Sequence, residues 1–318
     1  MKAAILNKLG ELPIYGDSYE PMIPGEGESI MHVKAASIKQ LDKAKAAGKH
    51  YTTYATLPAI VGTDGVGMLD NGKMVYAMLA AGMLAERVVV PDKACIELPL
   101  GIDMAVAAAL PNALIGSDAA LCLRAKIKPG DVVLINGATG VSGKVAVQMA
   151  KYRGASKVIV TGRNKELLEA LKLVGADATV SLLQRDEAVI AQLHEINTAS
   201  RFDIVLDYLW GSPMEKVFKA LQQCKPYPVK VVLVGEMAGS SLGIATGMLR
   251  STKIELLGSG IGSIDMLDLQ AYIRMNLPEL LGLHKAGKLQ IDITKFELSA
   301  VGAAWTYQEP GRRAVVVL

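Results

Sequence analysis

Asp131-Val-Val-Leu-Ile-Asn-Gly-Ala-Thr-Gly-Val-Ser-Gly143 joins an apolar run to a glycine turn and the start of a helix. Four apolar residues in a row, 132–135, stop at a glycine turn, which is the pattern of a short strand buried on both faces. Gly137, Gly140 and Gly143 then follow at G-x-x-G-x-x-G spacing, one residue off the usual dinucleotide fingerprint. Residues 141–152 take up a helical period, with Val145, Ala146, Val147 and Ala150 small enough to lie on a sheet and Gln148 and Lys151 on the outward side. A strand, a tight turn and a helix start in succession aim backbone N–H groups at one point, so an anion is favoured there. The sequence therefore predicts a pyrophosphate seat built from Gly137, Ala138, Thr139, Gly140, Val141, Ser142 and Gly143. Gly140 would let the backbone approach the phosphates, and Gly143 would let the helix pack close to the sheet.

Downstream the periods keep alternating. Strands are expected at 157–161, 175–180, 202–206, 229–234 and 254–257, with helices at 164–174, 185–196 and 213–223, the last capped by Ser212 with Pro213 at its first position. With 132–135 these make six strands, the set for a doubly wound parallel sheet. The end of the second strand selects the cofactor. An NAD site expects a carboxylate about 20 residues past the glycines, whereas Thr161-Gly-Arg-Asn164 carries none before Glu166. Arg163 can grip a 2′-phosphate with a bidentate fork, and Thr161, Gly162 and Asn164 lie beside it, which points to NADPH. Tyr208, Gly235, Met237 and Gly258 follow later strand ends and are expected on the cofactor side. Arg312 and Arg313, after a Pro-Gly turn, are candidates for a second phosphate contact.

Upstream of the decisive stretch the pattern changes to short β-like runs at 2–6, 29–38, 74–78 and 85–90, a brief helix at 41–48, and a loop holding Tyr51 and Tyr54. That reads as a small barrel-like domain. Pro91 should end the last clear strand there, and two helical stretches split at Pro111 are expected between 103 and 124. Beyond about residue 263, helices at 267–275 and 277–285 precede β-like runs at 291–296 and 314–318, which could rejoin the first domain and leave an active cleft between the two. The expected division is 1–118, 119–265 and 266–318, the last returning to the first.

Composition narrows the function. The 318 residues are 51% hydrophobic and 20% charged, enough for a large core and too apolar for a disordered chain. A net charge of +3 without a basic block gives no footprint for nucleic acid. The most apolar window, 104–123, contains Pro111, Asn112, Ser117 and Asp118, so no membrane partner is expected. Cys95, Cys122 and Cys224 are scattered and odd in number, which argues for a reducing compartment, and the cytoplasm is the expected location. His32, His50, His194 and His284 fall in no ligand spacing, so no metal site is expected. Neither a nucleophile elbow nor a P-loop is present. Hydride transfer remains.

The quoted glycine stretch, together with Val33-Lys-Ala-Ala-Ser-Ile-Lys-Gln-Leu-Asp42, Leu57-Pro-Ala-Ile-Val-Gly-Thr-Asp-Gly-Val-Gly67, Ala108-Ala-Leu-Pro-Asn112 and Gly311-Arg-Arg-Ala-Val-Val-Val317, resembles the zinc-independent quinone oxidoreductase branch of the medium-chain dehydrogenase/reductase superfamily over the whole chain. The resemblance implies a GroES-like domain completed by the end of the chain, a Rossmann domain between, and a homodimer. It also implies reduction of a small electrophile, a quinone or an α,β-unsaturated carbonyl, by NADPH. Zinc-dependent relatives carry a cysteine near position 40 and Gly-His-Glu where this chain has Gly62-Thr-Asp64. The family's Asn-Pro is here Lys39-Gln40, so Asp42 carries over to the nicotinamide pocket and Lys39 holds the Asn place by position only, as a substrate donor or a solvated loop lysine. Ser117 replaces a family threonine near the nicotinamide. Tyr51 and Tyr54 match the pocket tyrosines loosely, and a phenol or the Lys39 ammonium would stabilise the enolate oxygen. A metal-free alcohol or aldehyde reductase, and a non-catalytic NADPH-binding sensor or structural protein, stay open on the residues alone.

Overall fold

The structure, a computed structural model, describes residues 1–50, 52–78 and 81–318, with the backbone only at Ile261. It divides into two units, Asn112–Ile273 and Met1–Pro111 with Arg274–Leu318.

In the first of these, six parallel strands lie in the spatial order Ala178–Ser181, Lys157–Gly162, Val132–Asn136, Ile204–Asp207, Pro228–Leu233 and Lys253–Gly258. In chain order that is 3-2-1-4-5-6, the Rossmann arrangement, and the strand order reverses beside Val132–Asn136. Val133 is in register with Val158 on one side and Ile204 on the other. Val133, Leu134 and Ile135 are wholly buried, each worth about 1.5–3 kcal/mol against exposure. The expected strands and helices are all present to within a few residues, and the helix Val141–Tyr152 has the expected bounds. Its outward face differs from expectation. Gln148 is buried and donates to the Lys144 carbonyl at 3.1 Å, because the segment Ile115–Ala125 packs over this helix. Lys151 does reach outward, to Asp177 at 2.7 Å.

Two helix boundaries also differ. Pro111 does not split its helix: Met104–Leu114 runs through it and continues as a π-helical stretch, Ile115–Ala125. This composite is long and apolar enough to cross a membrane by composition, yet 72% of its most apolar window is buried in the protein. Its Asp118 is buried and takes a two-pronged grip from Arg153 at 2.8 and 2.6 Å. Pro278 likewise lies inside one helix, Met266–Lys285, instead of separating two. Ser212 is not an N-cap. The helix begins at Gly211, preceded by Trp210 at φ +52 and ψ −162, a conformation costly for a bulky residue.

The other unit is mainly β. One sheet runs Asp292–Glu297, Arg312–Val317, Glu28–Ser37, Gly65–Leu69, Met74–Ala77 and Cys95–Glu97, with Arg87–Pro91 also paired to Glu28–Ser37. The two strands from the end of the chain thus extend a sheet begun near its start, Val316 opposite Ala36. A second sheet joins Ile14–Asp17, Lys2–Leu6 and Ala59–Ile60. The strand Cys95–Glu97 follows Pro91, so Pro91 closes its own strand but not the series. The strands that sequence missed are short or glycine-bearing, which blurs the period. Gly67 shows why glycine sits there: a Cβ would lie 2.3 Å from the His32 carbonyl oxygen.

Candidate functional site

The glycine turn follows the central strand of the parallel sheet. Gly137 holds φ +91, and a Cβ on it would meet Leu209 at 2.7 Å. A Cβ on Gly143 would lie 2.5 Å from the Ala138 backbone, so only glycine lets the helix start so close to the strand. Gly140 is the N-cap of Val141–Tyr152, brings no side-chain cap, and faces open space. The N–H groups of Val141, Ser142 and Gly143 have no partner within their helix and point toward that space. The turn therefore fits a dinucleotide pyrophosphate on its own geometry. Thr139 packs against Gly162, where a Cβ would come within 2.4 Å of its methyl group.

A buried hydrogen-bond chain that sequence reading missed fixes this turn. Asn136 and Asp207, opposite one another at two strand ends, are both fully buried. Asn136 Nδ2 donates to Asp207 Oδ1 at 2.7 Å, and Thr161 Oγ1 donates to Asn136 Oδ1 at 2.6 Å. Thr161 Oγ1 in turn accepts the Gly137 N–H at 3.0 Å. Asp207 also accepts from Leu209 N at 3.1 Å and Trp210 N at 3.0 Å, which holds the strained turn at Trp210. Burial pushes the Asp207 carboxyl up, against the pull of those donors. A polar residue closing an otherwise apolar strand is the one sequence signal that could have flagged this pair.

Thr161 is thereby corrected. It is wholly buried with both hydrogen-bonding roles filled, so it supports the turn and has no hydroxyl left for a phosphate. Replacing Thr161 by Val, of like volume, is expected to cost about 1–3 kcal/mol in urea unfolding because the Gly137 N–H loses its acceptor. NADPH and NADH affinities should weaken in parallel; weakening confined to NADPH would restore Thr161 as a phosphate contact. Arg163, by contrast, is exposed and makes no ion pair or side-chain hydrogen bond among the described residues. Asn164 spends its side chain capping the helix Lys165–Lys172, accepting from Leu167 N at 3.0 Å.

Tyr208, Gly235 and Met237 do come together. A Cβ on Gly235 would lie 2.8 Å from the Tyr208 carbonyl oxygen, which accepts the Met237 N–H at 3.2 Å, and the Met237 side chain is exposed. The Tyr208 hydroxyl donates to the Gly116 carbonyl at 2.7 Å, drawing Ser117 to the same end of the sheet. Ser117 itself is fully buried and donates to Ala113 at 2.6 Å, so its hydroxyl is committed to its own helix. Gly258 ends the edge strand apart from this group, its carbonyl taken by Arg124 Nε at 2.7 Å.

The second group of candidates lies in the β unit and forms a buried ionic cluster. Lys39 precedes the helix Gln40–Ala46 and is 3% exposed. Its ammonium donates to the Ser37 carbonyl at 2.9 Å, pairs with Asp42 at 3.1 Å, and bonds Asp64. With the ammonium buried and held by these three groups, Lys39 is not a solvated loop lysine. Asp42 accepts from the Lys39 backbone at 2.9 Å and from Thr63 at 2.8 Å, and Asp64 accepts from Tyr76 at 2.8 Å. Burial lowers the Lys39 pKa, but Asp42 and Asp64 outweigh it and the net shift is upward. Arg313 is buried against the same two carboxylates, with burial pulling its pKa down. It is therefore a second cation of this cluster and not a phosphate contact. Arg312 is spent on Ile293 and Thr294, at 2.6 and 3.1 Å.

Tyr54 lies beside the cluster. Its hydroxyl is buried and makes no full hydrogen bond among the described residues, its ring sits 5.6 Å from the Lys45 ammonium, and burial together with Asp42 outweighs the nearby Gly62 N–H and pushes its pKa up to about 12. Tyr51 lies outside the described residues. Among the described residues no three His, Cys, Asp or Glu side chains converge as metal ligands. Thr63 donates to Asp42, and Asp64 is bonded by the Lys39 ammonium and the Tyr76 hydroxyl.

Comparison with known proteins agrees with this geometry. The family described as zinc-binding dehydrogenase matches residues 142–275. A probable NADPH-dependent quinone reductase of Emericella nidulans is 27% identical, over 96% of both chains. A chloroplastic NADPH-dependent alkenal/one oxidoreductase of Arabidopsis thaliana is 30% identical, covering 65% of this chain and 57% of its own. The quinone oxidoreductase of Thermus thermophilus, solved also with NADPH, superposes with a TM-score of 0.82 at 26% identity over 100% of both chains.

Proposed function

Because this chain belongs to the quinone oxidoreductase-like branch of the medium-chain dehydrogenase/reductase superfamily, we propose that it is an NADPH-dependent reductase acting on a quinone or an α,β-unsaturated carbonyl without a metal. The carrying observation is the glycine turn, with its outward N–H groups, followed by a strand end that offers an unpaired Arg163 and no carboxylate. When bound, NADPH supplies a hydride from its nicotinamide ring. The protein's part is to orient and to stabilise charge. Val141, Ser142 and Gly143 hold the pyrophosphate, and Arg163 takes the 2′-phosphate.

The buried Tyr54 hydroxyl then donates to the oxygen that becomes negative as the electrophile accepts the hydride. Its raised pKa keeps it protonated through neutral pH, as a donor must be. Lys39, Asp42, Asp64 and Arg313 position this wall of the pocket; none carries the reaction. Tyr51 remains a second proposed donor. The cysteines are free among the described residues, in keeping with a cytoplasmic location. A homodimer is part of the proposal, and the open edge strand Lys253–Gly258, with Leu256 38% exposed, offers a face for a second copy.

NADPH consumption with an enone, a quinone and a simple aldehyde tests the reading. Turnover of the first two is expected; activity on the aldehyde alone would make this an alcohol or aldehyde reductase, and NADPH binding without turnover a sensor. Tyr54→Phe should lower kcat about 10²-fold, the cost of losing one donor to a developing oxyanion, while leaving stability and NADPH affinity unchanged. Full activity of Tyr54→Phe would remove that residue from the mechanism.

A further inference from the structure

Cys224 lies just past the helix Gly211–Gln222, where the strands Pro228–Leu233 and Lys253–Gly258 begin. That is the end of the parallel sheet opposite the glycine turn. The sulfur is 3.2 Å from His194 Nδ1 and 3.0 Å from Asn197 Nδ2, with Ala220 O at 3.5 Å and Thr198 Oγ1 at 3.8 Å. The Asn197 amide cannot be turned the other way, because its Oδ1 accepts the Phe202 N–H at 2.8 Å. Its NH₂ group therefore faces the sulfur, and His194 Nδ1 lies within reach of the thiol proton.

The thiol opens into a hollow of about 250 Å³ lined by His194, Arg201, Lys225, Tyr227 and Thr252, with no carboxylate in its wall. Arg201 lies over the Tyr227 ring, 5.2 Å from its centre, and Tyr227 donates to Asp203 at 3.0 Å, so the tyrosine is held in place and the basic groups are left facing the hollow. The other two thiols differ. Burial pushes Cys95 up to about 11 and Cys122 up to about 12, so both stay protonated at neutral pH.

We propose that Cys224 is the nucleophile of a second, covalent site that captures small anionic α,β-unsaturated carbonyl compounds by conjugate addition. His194 Nδ1 takes the thiol proton. The sulfur lone pair forms the S–C bond at the β-carbon as the C=C pair moves into an enolate, and that enolate recovers the proton from His194. The net change adds S–H across C=C with no oxidant or reductant. Arg201 and Lys225 attract the anionic end of the electrophile.

The test uses the whole chain without nucleotide, so it stands or falls apart from the reductase reading. The chain is treated with 4-oxopent-2-enoate or its methyl ester, each rate divided by that of free N-acetylcysteine, and adducts are mapped by mass spectrometry. Cys224 should be modified at least about tenfold faster than Cys95 or Cys122, and the acid should outpace the ester. Cys224→Ser should abolish the fast phase, and His194→Gln should slow it about tenfold or more at pH 7. Equal labelling of all three cysteines, or an unchanged rate in His194→Gln, would overturn the proposal. An ester as fast as the acid would overturn the anion preference.

Discussion

Lys39→Met unfolds in urea with about 3–5 kcal/mol less stability than the parent chain, the cost of stranding buried charge when one partner of an ion pair is removed. That is the largest single-residue effect expected here, a big fraction of the 5–15 kcal/mol typical of a folded domain. Asp42 and Asp64 are 0% and 5% exposed, and without the ammonium they keep Arg313 as a nearby cation. Combining Lys39→Met with Asp64→Asn should recover much of the loss, since the amide can still accept from Tyr76. A loss below about 1 kcal/mol would mean that water reaches the cluster and that Lys39 is an ordinary surface charge. The pH dependence has a definite sign. The folded pKa of Lys39 lies above the ordinary 10.5, so its contribution is full below that pH and is lost only as the pH climbs through the folded value. The difference between parent and variant should therefore narrow on the alkaline side.

On the proposed NADPH reading, Arg163→Glu should reverse the coenzyme preference. Loss of a charge-assisted fork on the 2′-phosphate weakens NADPH binding about 10- to 100-fold. The new carboxylate adds repulsion to that phosphate and an acceptor for the ribose hydroxyls of NADH. Calorimetric Kd values for both coenzymes, in the parent chain and the variant, measure the effect. Because Arg163 is exposed, the parent's NADPH preference should also shrink as salt rises. Equal weakening of NADPH and NADH would show that Arg163 has no part in the selection, and the cofactor assignment would then rest on the glycine turn alone.

Much of the Rossmann half was legible in the chain because its signals are local. An apolar run at 132–135, glycines at fixed offsets and a small-residue helix each act within a dozen residues, and steric limits at Gly137 and Gly143 leave few alternatives. The β unit was harder to read, since strands such as Gly65–Leu69 take their shape from a neighbour's backbone and not from their own period. Nothing in a linear reading could pass Pro111 through a helix, because the wide turns after it depend on what packs around them.

The doubly wound sheet, its glycine turn and the lack of a carboxylate at the second strand end were all readable from the chain. Tertiary structure decided which polar residues are spoken for. It took Thr161 into the support of the turn, bound Lys39 between Asp42 and Asp64, and buried Arg313 beside them. It also set Cys224 against His194, thirty residues away. The reason is physical: a side chain's chemistry is local, but whether its donors and acceptors are free depends on partners that only folding brings within about 3 Å.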